Sequence, residues 1–176
     1  YSDAPVSTAH ALVQQYPQRP YDRLDRIMAE YTDYMVNEFF FEAIRTGEIR
    51  YPMRDSEYFE EVKNTADFCA VNIYTRSMVD SRKKDLSGER YMHKKLKMIR
   101  KDFFLDEMYP EGLTASLERL KDKPIYITEN GCSANDDDYR IVYLTLYLSA
   151  LKEAISNGAD VRGYMYWSLM DNFEWA

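Results

Sequence analysis

Apolar residues follow two rhythms along this chain. From Tyr21 to about Thr46, Leu24, Ile27, Met28, Tyr31 and Met35 recur three and four positions apart, the period of one face of an α-helix. Gly47, after Arg45-Thr46, supplies a stop, because glycine readily takes the left-handed conformation that ends helices. Ile141, Leu144, Leu148, Leu151 and Ile155 form a second stripe. It predicts a helix opened by Asp136-Asp137-Asp138, where free N–H groups and the helix dipole favour acids, and ended by Gly158. Leu113 to Leu120, after Pro110-Glu111-Gly112, reads as another helix, and Glu57 to Asn64 as a short one.

The second rhythm is the short, continuous apolar run. Asp67 to Tyr74, Pro124 to Thr128 and Val161 to Leu169 are such runs and predict strands buried on both faces. Residues 1–20, punctuated by Pro5, Pro17 and Pro20, show little periodicity and read as a loop or the tail of an element. Residues 80–108 are highly charged and read as a long surface excursion with some helix. Alternating helices and strands imply an α/β fold with a parallel sheet and helices outside it. A doubly wound sheet and a (β/α) barrel entered at its middle both fit this order, and no internal repeat decides between them.

Composition narrows the chemistry. The 176 residues are one domain's worth, 45% hydrophobic and 30% charged. A net charge of −7 disfavours nucleic acid or an anionic membrane as partner. No apolar run approaches the ~18 residues of a membrane helix. No leader-like segment opens the chain, and a cytoplasmic location is slightly favoured. Two cysteines, Cys69 and Cys132, and two histidines, His10 and His93, make a disulfide framework, a metal site or a Ser-His-Asp triad improbable expectations. No cofactor or metal is expected, and acid–base chemistry falls to carboxylates. Sixteen tyrosines fit either aromatic packing or a cleft lined by flat rings.

In parallel α/β architectures, reactive groups gather at the C-terminal ends of strands. The first predicted strand ends in Asn72 and Tyr74. The second delivers Glu129-Asn130, and the third delivers Trp167, followed by Asp171, Asn172, Glu174 and Trp175. Glu129 is the sharpest candidate, because a carboxylate emerging from Ile125-Tyr126-Ile127-Thr128 is partly desolvated and needs a partner or a task. The plainer alternative is a loop carboxylate bonded to nearby backbone N–H groups.

Several motifs resemble those of glycoside hydrolase family one, the β-glucosidase family. Ile127-Thr128-Glu129-Asn130-Gly131 resembles its nucleophile motif, and Tyr166-Trp167-Ser168-Leu169-Met170-Asp171-Asn172-Phe173-Glu174-Trp175 the end of its last barrel strand. Val161-Arg162-Gly163-Tyr164, Tyr109-Pro110-Glu111-Gly112-Leu113, Asn72-Ile73-Tyr74-Thr75 and Gly47-Glu48-Ile49-Arg50-Tyr51-Pro52 fit too. Order and rough spacing agree from about residue 21 onward. The resemblance implies the C-terminal part of a TIM (β/α)8 barrel, roughly strands five or six to eight with their helices, over residues 1–176. It implies a β-glycoside substrate, hydrolysed with retention through a glycosyl-enzyme on Glu129. Tyr74 is then the donor that holds Glu129 ionised and aimed, and Asn72 lies beside the reacting sugar. Trp167 offers a flat face, Glu174 accepts from outer hydroxyls, and Trp175 donates its indole N–H. A carboxylate at Glu174 speaks against a 6-phosphorylated sugar.

The family's acid/base glutamate lies in an Asn-Glu-Pro motif after its fourth strand, and this chain contains no Asn-Glu-Pro. Asn37-Glu38-Phe39 lies inside the first predicted helix and is not assigned that role. Asp106-Glu107-Met108 stands where family members often carry a tryptophan, and Ile73 replaces a common tyrosine. The expectation is a fragment lacking the N-terminal half of the barrel, inactive alone. The alternatives are a catalytically impaired sugar-binding or co-receptor-like relative and a self-standing doubly wound domain. The last predicts a glycine-rich phosphate loop that the sequence lacks.

Overall fold

A computed structural model describes residues 3–82, 107–134, 136–170 and 172. The charged excursion expected over residues 80–108 lies mostly outside them, as do Asp171, Glu174 and Trp175.

Four strands form a wholly parallel sheet in the order β1 (Ala9–Ala11), β5 (Cys69–Asn72), β7 (Ile125–Asn130) and β8 (Val161–Tyr166). A parallel pair, β2 (Gln14–Pro17) with β6 (Arg76–Val79), continues the first two strands beyond their C-terminal ends. A short antiparallel pair joins β3 (Glu48–Ile49) to β4 (Glu57–Tyr58). The helices are α1 (Arg23–Asp33), α2 (Phe39–Thr46), α3 (Pro110–Glu118) and α4 (Asp137–Ser156). The main core lies between the sheet and α3 and α4, where Val71, Ile73, Ile125 and Ile127 meet Leu113, Leu117, Tyr143, Tyr147 and Ala154.

The local signals account for most boundaries. The Asp136 carboxylate accepts from the Asp138 N–H at 2.9 Å and caps α4. Asp22 caps α1 by accepting from the N–H groups of Leu24 and Asp25. α3 starts at Pro110, whose missing N–H costs nothing in a first turn. Gly47 ends α2 at φ 77°, and a Cβ there would lie 2.8 Å from the Phe59 carbonyl oxygen, so both conformation and space demand glycine.

Four expectations are corrected. Residues 1–20 hold β1 and β2, which their own pattern hides because their partners lie about sixty residues away, Ala9 opposite Ala70 and Gln14 opposite Arg76. The predicted helix over 57–64 is instead β4 and a single 3₁₀ turn, Glu60–Val62. The Tyr21–Thr46 helix exists, but a π-helical turn, Tyr34–Glu38, interrupts it. Both apolar stripes lie partly outward. Leu24, Ile27, Tyr31 and Met35 are exposed while Asp25 and Ala29 face in, and Ile141, Leu148 and Ile155 are exposed while Tyr143, Tyr147, Ala150, Leu151 and Ala154 face in. Small alanines let each helix lie close to its sheet, which outweighs the larger apolar residues on the other side.

Several inward polar groups are matched by specific partners. Asn37, in the π turn, donates to the Val13 carbonyl at 3.0 Å and accepts from its N–H at 3.3 Å, standing in for a strand partner between β1 and β2. Glu38 pairs with Arg45 and Arg119, so it is a structural residue. The His10 ring stacks on Phe40 at 4.9 Å, and burial lowers its pKa. The fully buried Asp25 carboxylate accepts from Arg19 (backbone N–H, Nε and Nη2, 2.7–3.0 Å) and from the Ser81 N–H and hydroxyl (2.8 and 2.7 Å). It clasps the chain ahead of α1 to the end of β6. Burial alone would raise its pKa, but these donors outweigh it and hold the carboxyl well below the usual range.

A carboxyl with a depressed folded pKa stabilises the protein above its unfolded value of about 3.9, and that contribution is lost as pH falls below it. Asp25→Asn should therefore lower stability by about 2–3 kcal/mol at neutral pH and flatten the acid limb of stability against pH. Urea melts between pH 7 and pH 3 measure both, and an unchanged acid limb would exclude the clasp as its source.

Candidate active site

The site forms where β5 and β7 end side by side. Along β5 and the residues after it, Val71 and Ile73 enter the core under the helices, while Asn72 and Tyr74 turn to the opposite face. On β7, Ile125 and Ile127 likewise enter the core. Strict alternation would place residue 129 on the face of Ile127. The register prevents this. Val71 pairs with Ile127 and Asn72 with Glu129, so two steps on β7 answer one on β5. The register also shifts between Ile127 and Asn130 against β8. This β-bulge at Thr128 turns Glu129 to the inner face and Asn130 to the helix layer.

On the inner face, the Tyr74 phenol donates to Glu129 Oε2 at 2.7 Å. The Thr128 hydroxyl donates to Asn72 Oδ1 at 2.6 Å. The Ile73 N–H donates to the Glu129 carbonyl at 3.0 Å, closing the ladder beside the bulge. Glu129, Tyr74 and Asn72 are all half-buried.

On the helix side, Asn130 is fully buried. Its amide donates to the Ile73 carbonyl at 2.6 Å and to the Tyr143 hydroxyl at 3.0 Å, and its Oδ1 accepts from the Tyr164 hydroxyl at 2.7 Å. Its backbone carbonyl accepts from the Trp167 N–H at 2.9 Å, which brings the end of β8 beside Glu129. Trp167 itself is exposed. The peptide bond between Trp167 and Ser168 is cis. A Cβ at Gly131 would overlap the Trp167 carbonyl oxygen, so glycine is required for the two strand ends to approach.

Next to Tyr74 stands an ion pair that the sequence does not announce. Arg76 makes a two-pronged ion pair with Glu107 at 2.7 and 2.9 Å, and its guanidinium lies 3.9 Å from the centre of the Tyr109 ring. The Glu107 side chain is 1% exposed, so the pair is sheltered from screening. The Thr75 hydroxyl also donates to the Glu107 carbonyl at 2.7 Å. Spacing gave no signal for this pairing, because Arg76 precedes the charged excursion over residues 80–108 and Glu107 lies at its far end. Among the described residues, no cluster of three or more His, Cys, Asp or Glu could hold a metal, and no helix is long and apolar enough to cross a membrane.

A carboxylate and a phenol that meet on the inner face of a parallel sheet, at its C-terminal rim and with helices covering the outer face, define a TIM-barrel site. The chain belongs to glycosyl hydrolase family 1, whose sequence profile matches residues 1–176. It is 32% identical to a β-galactosidase of Sulfolobus acidocaldarius over 97% of its own length and 36% of that protein's. It is 29% identical to a 6-phospho-β-galactosidase of Staphylococcus epidermidis over 97% and 47%. Its fold superposes on a β-glucosidase of Exiguobacterium marinum with a TM-score of 0.80 and 26% identity, covering 99% of this chain and 44% of that one. The chain thus spans between about a third and a half of these relatives and forms part of a (β/α)8 barrel.

Gly131→Ala should force the β7 and β8 ends apart, costing about 1–3 kcal/mol and shifting tryptophan emission. Thermal melts and fluorescence measure this; a variant with parental melting and emission would contradict the close approach.

Proposed function

We propose that Glu129 is the nucleophile of a retaining β-glycosidase and that this chain supplies the last four strands of its barrel. The observation that carries this reading is the 2.7 Å hydrogen bond from the Tyr74 phenol to Glu129 Oε2 on the inner face of the sheet. The phenol orients the carboxylate and leaves Oε1 to attack the anomeric carbon. Attack displaces the aglycone and forms a glycosyl ester, which water then hydrolyses with overall retention. The reaction needs a second carboxyl about 5–5.5 Å away to protonate the leaving oxygen and later activate water. We assign it to the first half of the barrel. Asn72 lies beside the reacting sugar and Trp167 packs on its ring. Glu174 and Trp175 bind its outer hydroxyls, and Glu174 favours a sugar without a 6-phosphate, because the two anions repel. Two features support a larger barrel. β1 and β8 stand at the edges of the sheet, and α1 and α4 keep apolar residues in water.

In the complete barrel, an activated 2-deoxy-2-fluoro glycoside should label the peptide that carries Glu129, as read by mass spectrometry. Glu129→Gln should cut turnover of an aryl β-glucoside at least about a thousandfold. Label on another residue would refute the assignment, and sugar binding without any labelling would favour a catalytically impaired sugar-binding relative. Residues 1–176 alone should show no turnover, and enzyme-like rates from them would overturn the shared-barrel reading.

A further inference from the structure

Tyr143 and Tyr147 stand one turn apart on α4 and are fully buried. Their rings stack with centroids 4.1 Å apart at 15°. Packing accounts for the rings; the hydroxyls have a separate task. The Tyr147 hydroxyl donates to the Tyr74 carbonyl at 2.5 Å and accepts from the Tyr109 N–H at 3.1 Å. The Tyr143 hydroxyl approaches the same carbonyl at 3.4 Å while accepting from Asn130. Burial, then the neighbouring Tyr147, pushes the Tyr143 phenol well above its ordinary pKa, so it keeps its proton.

β5 ends at Asn72 and β6 begins at Arg76, so Tyr74 lies between strands, where no continuous ladder sets its peptide plane. From the helix side, Tyr147 bonds its carbonyl. On the inner face its phenol reaches Glu129. Through Asn130, Tyr143 holds the residue next to Glu129 against the same point. We propose that Tyr147, seconded by Tyr143, is a positioning residue for catalysis: it fixes the peptide of Tyr74 from behind the sheet and so sets the reach of that phenol to Glu129. This rests on the reading of Glu129 as nucleophile. It extends the site through the sheet to α4, which packs on the face opposite Glu129.

The test is a double-mutant cycle in the complete barrel, read by the rate of inactivation with the 2-fluoro glycoside and by kcat and KM on an aryl β-glucoside. Tyr147→Phe removes one oxygen and keeps the stacked ring. It should slow inactivation and kcat about tenfold with KM within about twofold. Because it acts through Tyr74, adding it to Tyr74→Phe should cost nothing more, whereas independent effects would multiply. Tyr143→Phe, whose contact is longer, should lose about threefold and be absorbed by Tyr74→Phe in the same way; it carries the test should Tyr147→Phe fold poorly. Multiplying losses, or rates that neither variant changes, would overturn the inference while label on Glu129 leaves the nucleophile assignment standing. Label on another residue would remove both.

Discussion

The extra residue in β7 is the constraint on which the site depends. Ile127 is fully buried in the core with Leu113 and Leu117. In a strand of regular period, Glu129 would follow it there. A carboxylate in that apolar layer, without a cation, would cost several kcal/mol or lose its charge. The bulge at Thr128 exchanges this outcome for another. Glu129 turns to the face where the Tyr74 phenol reaches it, and Asn130 takes the place under α4. One inserted residue thus separates a charged group from the core and supplies the core with a neutral polar one.

An amide in the core is tolerable only when every polar atom is matched, because a half-satisfied buried network is worse than an apolar one. Asn130 meets that condition with Ile73, Tyr143 and Tyr164, and its backbone carbonyl receives the Trp167 N–H. Three of the four strand ends are thereby bound through one residue. This also explains the inward face of α4. Alanines at 150 and 154 bring the helix close, and the tyrosines at 143 and 147 are long enough to put hydroxyls on the sheet's last peptides. The same rule governs the other buried charges. Asp25 faces Arg19 with the Ser81 hydroxyl and N–H, and Glu107 faces Arg76, so neither charge is buried alone.

Local signals were legible and distant partnerships were not. The caps at Asp136 and Gly47, the strand after Pro124 and the helix before Gly158 each depend on a few neighbouring residues, and all appear close to their expected places. Glu129 and Tyr74 could be singled out because strand ends concentrate reactive groups in parallel folds. β1 and β2 could not be seen, since an Ala-His-Ala stretch becomes a strand only when Cys69–Asn72 lies beside it. The choice of inward face on α4 was hidden for a related reason. That helix is apolar on both sides, and its inward face is the one whose alanines at 150 and 154 allow close approach and whose tyrosines at 143 and 147 find hydroxyl partners on the sheet. The bulge had no signature beyond Asn-Gly after Glu129, so the sequence showed that a carboxylate stands there but not which way it points.

The sheet's open edges bear directly on chemistry. An isolated four-stranded array leaves the inner face of β7 and β8 against solvent, as the exposure of Met165 and Trp167 shows. In the proposed reaction, water on that face would compete for the Glu129 carboxylate and weaken every electrostatic contribution to a charged transition state. The hydrogen bond from Tyr74 orients Glu129 whether or not the face is covered. In the proposed role it would aid catalysis fully only once water is excluded, because preorganised donors are worth most in a low-dielectric enclosure. Closing the barrel would pair the edges at β1 and β8, cover the apolar flanks of α1 and α4, and raise the strength of the Tyr74–Glu129 contact together. In a closed barrel, stability and the proposed reactivity would therefore draw on the same surface.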